Sequence, residues 1–185
     1  MKLPALAKRV FEWILFDVYQ WPQELFDGTI TTFEMLKRKP TVDVIVVDGN
    51  LILVTEEEQP NTWAFPAIVW GGSEEWEDVI QAGKRELLEE TWYEAKKWEL
   101  LAEYFWVSSK LHYHETLLIA RDITKIQDPI LDGWEKISIR WVNFDEFLQL
   151  ARNPKFSLPL EFKFAMYEAL VDSVKYEELK KTLCQ

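Results

Sequence analysis

Short runs of hydrophobic residues, several of them alternating with polar ones, predict β-strands in the first part of the chain. β-branched residues crowd the segment 41–54, on both sides of an Asp-Gly-Asn turn at 48–50. Such a turn between two apolar runs is typical of a β-hairpin. An Asp-Gly pair at 27–28 separates 11–25 from 29–36 in the same way, so we expect a second pair of strands there.

The second half of the chain mixes further strands with helices. Strands are predicted at 99–107, 115–120 and 137–142, where apolar and β-branched residues cluster. Helical spacing follows Asp78, which can cap a helix over 79–90, and two more helices are predicted after Asn143 and over 160–174. Because strands and helices mix without a regular βαβ alternation, the pattern predicts an α+β fold with a mixed sheet.

Composition leaves the predicted fold unchanged and argues against some classes of function. The chain has 185 residues, 48% of them hydrophobic and 29% charged, and its net charge is -11. No repeat or linker divides the sequence, so residues 1–185 are interpreted as one soluble domain. An acidic surface repels a phosphate backbone, which argues against nucleic-acid binding. An acidic enzyme can still act on a phosphate ester when cations neutralise both partners.

Cysteine content and hydropathy indicate a cytoplasmic protein that does not bind membranes. Cys184 is the only cysteine, so no disulfide can form within the chain, and a reducing compartment is expected. The apolar stretch 3–19 is interrupted by four charged residues, at 8, 9, 12 and 17. It therefore cannot act as a signal-peptide core or span a bilayer.

Three glutamates of the predicted helix over 79–90 carry the candidate chemistry. Glu86, Glu89 and Glu90 are spaced i, i+3 and i+4, so they share one helix face about 5–6 Å apart. Like charges at this distance need either full solvation or a divalent cation. A solvated acidic face is the usual meaning of such a run, but hard cations such as Mg²⁺ also take oxygen ligands of this kind. Arg85 could hold one carboxylate by a forked hydrogen bond.

The spacing of the residues around these glutamates favours a bound cation over a solvated acidic face. Seven fixed positions are Gly71, Glu77, Arg85, Glu86, Leu87, Glu89 and Glu90. In order and without gaps they resemble the Nudix box, G-x5-E-x7-R-E-U-x-E-E-x-G-U, where U is aliphatic. The flanking segments LVTEEEQP at 53–60 and HETLLIARD at 114–122 are similar to those of ADP-ribose pyrophosphatase-like members.

This resemblance implies an α/β/α sandwich around a mixed sheet and a hydrolase that cleaves a nucleoside diphosphate linked to another group. ADP-ribose, cleaved to AMP and ribose 5-phosphate, is the expected substrate. The implied cofactor is Mg²⁺, with Mn²⁺ as a substitute. Its implied ligands are Glu86, Glu89, Glu90 and the backbone carbonyl of Trp70, while Arg85 and Glu89 assist catalysis and Gly71 and Glu77 contact substrate.

Other roles stay open at the level of sequence. A carboxylate outside the helix should take the proton of the attacking water, and Glu135 and Glu115 are the two candidates. His112 and His114 are interpreted as one edge of an alternating strand rather than as metal ligands. Trp63 and Phe65 could stack on a base or pack in the core. Relatives are often homodimers, and we expect the N-terminal extension 1–40, through its apolar segment 6–19, to form that interface.

Tryptophan stands at several positions where the family has glycine. Trp92 replaces the glycine that ends the box helix, while Trp70, Trp76 and Trp134 replace loop glycines. The chain has ten Trp and six Gly. Lineage drift, loss of activity, or UGA codons that the source reads as glycine would each produce this pattern. UGG codons at these four positions would exclude the last explanation. The alternative function is therefore a catalytically impaired Nudix-fold module that binds a nucleotide.

Overall fold

The computed structural model describes residues 3–60, 62–74, 77–107, 110–126 and 136–184. Ten strands lie in these ranges: β1 Lys8–Glu12, β2 Phe16–Glu24, β3 Ile30–Arg38, β4 Thr41–Asp48, β5 Leu51–Glu58, β6 Phe65–Ala67, β7 Val69–Gly72, β8 Tyr93–Val107, β9 Leu111–Lys125 and β10 Lys136–Asn143. The helices are α1 Val79–Thr91, α2 Phe144–Leu150, α3 Leu160–Val171 and α4 Ser173–Cys184.

The strands form one mixed sheet in the order β1-β2-β3-β9-β4-β5-β10. Strands β6, β7 and β8 pair off this path with β5, β4 and β9. Strand β9 runs parallel to β3 and β4, whereas the other pairs are antiparallel. The predicted α+β class with a mixed central sheet is confirmed.

Helices cover both faces of the sheet because the central strands are apolar on both sides. Ile45 and Val47 of β4 pack with α2, α3 and α4 in one buried cluster. Val44 and Val46 pack with α1 in the other cluster. Strands buried on both faces read as continuous hydrophobic runs, as β4 does. This layering is the expected α/β/α sandwich. None of the helices in the described ranges is both long and apolar enough to cross a membrane.

Both hairpin predictions are confirmed, with Gly49 and Gly28 at positive φ in their turns. The structure corrects two boundaries. The run 11–25 is not one strand, because the chain turns at 13–15 between β1 and β2. The helix predicted over 160–174 ends at Val171, where Asp172 adopts an extended conformation and α4 begins. Strands β6 and β7 were not predicted.

Trp92 ends α1 in a backbone conformation that favours glycine. Its φ is 66° and its ψ is 20°, in the left-handed region, and its N–H donates to the Leu88 carbonyl at 3.0 Å. Asp122 is the other non-glycine residue with positive φ in the described chain. A bulky side chain is strained there because its Cβ approaches the backbone. The Trp92 indole N–H is also buried, with no hydrogen-bond partner among the described residues.

We therefore predict that Trp92→Gly is more stable than Trp92→Ala, by about 1 kcal/mol in the free energy of unfolding. Both variants lose the indole, so their difference isolates the left-handed backbone. Chemical denaturation of the two proteins measures it. In an ordinary helix interior alanine is the more stable residue, and that order at position 92 would contradict the strain.

Candidate functional site

One cleft collects most of the residues that the sequence singled out. It lies where edge strand β7 meets α1 and has a volume of about 450 Å³. The residues that line it come from five parts of the chain: Ile14, Leu15, Arg38, Lys39, Pro40, Thr41, Glu57, Gln59, Trp70, Gly71, Gly72, Glu74, Arg85, Glu86, Glu89 and Glu90. Six of these sixteen residues are glutamates or lysine, and two more are arginines. The cavity is therefore a charged one.

Helix α1 brings the three predicted acidic ligands to this cleft. Asp78 begins the helix, since its carboxylate accepts the Ile80 N–H at 2.7 Å. Glu90 is 7% exposed as a residue, whereas the side chains of Glu86 and Glu89 are 12% and 57% exposed. The three carboxylates are thus graded from buried to open along one face that lines a cavity, which a freely solvated acidic face would not show.

Arg85 binds three carboxylates and a backbone carbonyl of β7 at the same time. Its Nε and Nη2 donate to Glu77 at 3.2 and 3.1 Å, and Nη2 also donates to the Gly72 carbonyl at 2.7 Å. Its Nη1 donates to Glu86 at 2.7 Å and to Glu89 at 3.3 Å. The hydrogen bonds to Glu77 and then Glu86 raise the pKa of the guanidinium. Arg85 therefore links α1 to Glu77 and to the Gly72 carbonyl of β7, and it remains charged.

Gly71 is required by the position of Glu86. A Cβ at residue 71 would overlap the carboxyl group of Glu86, whereas a Cβ at Gly72 would meet no atom within 4 Å. The backbone of β7 can therefore approach the Glu86 carboxylate closely. This close approach is the structural reason for the first glycine of the motif.

The donor set fits a hard divalent cation by its chemistry. Glu86, Glu89 and Glu90 supply carboxylate oxygens to one cavity, and Mg²⁺ prefers oxygen ligands. As they stand, however, no three acidic, His or Cys side chains of the described chain are arranged around a common ion position. Instead, Arg85 Nη1 donates to both Glu86 and Glu89. A cation bound by these two carboxylates would take the place of that contact, while the contacts of Arg85 to Glu77 and the Gly72 carbonyl would remain.

Glu57 is a further acidic residue of the cleft, and it was not predicted. It is 3% exposed and accepts hydrogen bonds from Thr55 Oγ1 at 2.7 Å and Trp70 Nε1 at 3.0 Å. It belongs to a run of three glutamates at 56–58, which resembles a solvated strand end. The alternation of side chains along β5 could have revealed its burial, because Glu57 projects to the same side of the strand as buried Leu53 and Thr55.

Glu115 lies behind the cleft on the other face of the sheet from α1, paired with Asp43. Trp106 Nε1 donates to Glu115 at 3.0 Å, and the Asp43 carboxyl hydrogen-bonds Glu115. Burial, then repulsion by Glu115, raises the pKa of Asp43 well above its usual range. Burial also raises the pKa of Glu115. Asp43 was missed although an acid within the apolar run of β4 is itself a signal, since buried acids need a partner.

Two cationic side chains also line the cleft. Arg38 stacks over the Tyr113 ring at 4.5 Å from its centroid, and Lys39 Nζ lies 3.9 Å from Glu74. Both side chains line the cavity. A cavity lined by both cations and carboxylates can hold a bridging metal ion and a polyphosphate at once.

The remaining predicted residues are spread over the structure. Glu135, Trp76 and Trp134 lie outside the described residues, so the Glu135 role stays a prediction. Trp63 is 84% exposed, and neither it nor half-buried Phe65 lines the cleft. His112 and His114 lie on β9, and the His114 ring stacks on Phe105 with centroids 4.3 Å apart. This placement matches the strand-edge interpretation of the histidines.

A family profile and two solved structures resemble this chain over most of its length. The NUDIX domain family profile matches residues 37–162. A solved structure described as an ADP compounds hydrolase superposes with a TM-score of 0.69 and 17% identity, over 88% of this chain and 91% of that one. A NUDIX hydrolase from Nitrosomonas europaea superposes with a TM-score of 0.57 and 25% identity, over 71% and 88%. No curated protein matches the sequence.

Proposed function

The chain belongs to the NUDIX domain family, and we propose that it hydrolyses ADP-ribose to AMP and ribose 5-phosphate with Mg²⁺ as cofactor and Mn²⁺ as a substitute. The observation that carries this proposal is the convergence of Glu86, Glu89 and Glu90 on one cavity that Arg38 and Lys39 also line. Carboxylates alone would repel a diphosphate, so the cleft needs a cation between the two.

The residues of the chain divide the work between binding and positioning. Glu86, Glu89 and Glu90 would hold the metal, together with the Trp70 carbonyl in β7. The bound metal offsets phosphate charge and lowers the pKa of water. Arg85 keeps its contacts to Glu77 and the Gly72 carbonyl, so the loop stays fastened to α1 when Glu86 turns to the metal. Arg38 and Lys39 would bind the non-bridging phosphate oxygens.

A proton acceptor is still needed for the attacking water. We retain Glu135 as the proposed base. Glu115 is a weaker candidate than the sequence indicated, because it lies on the sheet face opposite α1 and is hydrogen-bonded to Asp43 and Trp106. Replacing Glu135 and Glu115 separately by glutamine, and comparing the two rates, tests the assignment.

The experiment that tests the proposed function is a substrate panel with Mg²⁺. ADP-ribose should release AMP faster than NADH, a nucleotide sugar or a dinucleoside polyphosphate, and chelation with EDTA should stop the release. A different preferred substrate would correct the substrate alone. Absence of turnover with every nucleoside diphosphate derivative would overturn the enzymatic proposal.

The alternative is a nucleotide-binding module with impaired catalysis. One observation favours it: Glu86 and Glu89 both accept from Arg85 Nη1, and no three acidic, His or Cys side chains of the described residues surround a common ion position. A module would bind ADP-ribose equally well with Mg²⁺ or EDTA and release no AMP. Equilibrium binding measured beside product release separates the two functions.

We further propose a homodimer in a reducing cytoplasm. Strand β1 is an exposed sheet edge, and apolar side chains on and beside it are open to solvent: Leu6, Val10, Phe11, Trp13, Ile14, Leu15 and Phe16. An apolar patch on an unpaired edge strand is suited to association. Light scattering should give twice the chain mass, and a monomer at micromolar concentration would contradict the dimer.

A further inference from the structure

A second polar layer lies behind the wall of the cleft formed by Trp70. Trp70 and Asp43 are cross-strand partners in the β4–β7 pair, so their side chains project from the same face of the sheet. The next residue, Gly71, faces Glu86 on α1. Because side chains alternate along a strand, Trp70 and Asp43 lie on the face opposite α1.

Asp43 is buried in a way that points to a missing hydrogen-bond donor. The residue is 5% exposed, and its Oδ2 is buried with no hydrogen-bond partner among the described residues. The same carboxyl group hydrogen-bonds Glu115, which also accepts the Trp106 indole N–H at 3.0 Å. A buried acceptor without a donor costs free energy, so this oxygen is poised to accept from something that enters.

Two residues that line the cleft, Trp70 and Glu57, are neighbours of Asp43. Both line the cavity, and the Trp70 indole N–H donates to Glu57 at 3.0 Å. Asp43 does not line the cavity, yet Glu57 is close enough to repel its carboxyl group and contribute to its raised pKa. Thr41 and Tyr113, which hydrogen-bond each other, close the neighbouring side, since Thr41 pairs with Glu115 across β4 and β9.

We propose that Asp43 and Glu115 form a subsite for the nucleoside part of the ligand, and that Trp70 determines specificity by covering it. Carboxyl groups repel the diphosphate and accept from N–H and O–H donors, which a nucleoside carries on its ribose and its base. The diphosphate then lies toward Arg38, Lys39 and α1, and the nucleoside lies toward Asp43. The inference rests on the proposed function, because it assumes that the cleft binds a nucleoside diphosphate.

The test removes the cover and measures binding of adenosine by calorimetry without metal. Trp70→Ala should bind adenosine about tenfold or more tightly than the unmodified protein. Trp70→Phe keeps a ring over the subsite but loses the hydrogen bond to Glu57, so it should bind like the unmodified protein. If Trp70→Phe gains as much adenosine affinity as Trp70→Ala, the gain comes from loss of the hydrogen bond to Glu57 and not from removal of the covering ring. That result would overturn the proposal.

A second substitution shows whether Asp43 is the receiving group. In the Trp70→Ala background, Asp43→Leu replaces a buried carboxyl by an apolar side chain of similar size, and Glu115 keeps its hydrogen bond from Trp106. It should abolish the gain in adenosine affinity while circular dichroism confirms the fold. Retention of the gain would show that the opened cavity binds adenosine without the carboxyl pair, and no gain in Trp70→Ala itself would equally overturn the subsite.

These outcomes are separable from failure of the proposed function. Adenosine has no diphosphate and the titration contains no metal, so hydrolysis plays no part in it. A protein that releases AMP from ADP-ribose but shows no adenosine gain in Trp70→Ala retains its function and loses the subsite. A protein that shows the gain but never turns over any substrate keeps the subsite as part of a binding module.

Discussion

Glu90→Gln should lower the rate of AMP release from ADP-ribose by about 100-fold or more, since loss of a group that merely orients a metal ligand already costs 10–100-fold. Glu90 is the most buried of the three α1 carboxylates that line the cleft. Glutamine keeps its size and removes its charge. The free energy of unfolding should change by no more than about 1 kcal/mol. Steady-state rates and denaturant titration measure the two effects.

Glu94→Gln is the matched control. Glu94 is exposed at the start of β8, four residues further along the chain, and does not line the cleft. It should retain the rate of the unmodified protein. Equal losses of rate and stability in Glu90→Gln would instead indicate that Glu90 has a structural role.

Gly71→Ala should give the second large effect, about a 100-fold lower rate, because displacement of a reacting group by about 1 Å can cost that much. The added Cβ would overlap the Glu86 carboxyl group and push it aside. Only the flexible end of a side chain has to move, and alanine reduces the entropy of the unfolded chain. The free energy of unfolding should therefore stay the same or rise while the rate falls.

Gly72→Ala controls for the loss of a glycine in the same strand. Its Cβ meets open space, and the Gly72 carbonyl that binds Arg85 is unaffected. Its rate should fall far less than that of Gly71→Ala. Similar losses in both variants would show that strand flexibility, rather than the position of Glu86, controls the reaction.

The sequence predicted the part of the site that depends on local structure. Asp78 and the spacing of the apolar residues placed α1 almost to the residue, and i, i+3, i+4 spacing placed the three glutamates on one face. The position of Gly71 beside Glu86 depends on a short loop between β7 and α1, so it too follows from a local motif.

Residues that reach the site through long-range pairing were not predictable in the same way. Glu57 belongs to β5, and its burial depends on Trp70 of β7 and on how far β5 extends into the sheet. Asp43 and Glu115, which are 72 positions apart in the sequence, meet because β4 and β9 run parallel. Periodicity along one strand does not reveal which strand becomes its neighbour.

Trp92 and Trp70 differ in whether their backbone conformation favours glycine. Trp92 adopts a glycine-like backbone with a buried indole N–H, which favours the hypothesis that its codon is read as glycine. Trp70 lies in the extended strand β7, where no backbone strain demands glycine. A glycine there would open the subsite next to Asp43, so codon identity at position 70 also bears on ligand specificity.

Binding of Mn²⁺, followed by electron paramagnetic resonance, tests most directly whether the acidic face of α1 is a metal centre. The unmodified protein should bind the ion at a site that Glu86→Gln/Glu90→Gln eliminates, with both proteins folded. Unchanged Mn²⁺ binding in the double variant would mean that the ion is held elsewhere, and the proposed diphosphate chemistry would lose its basis.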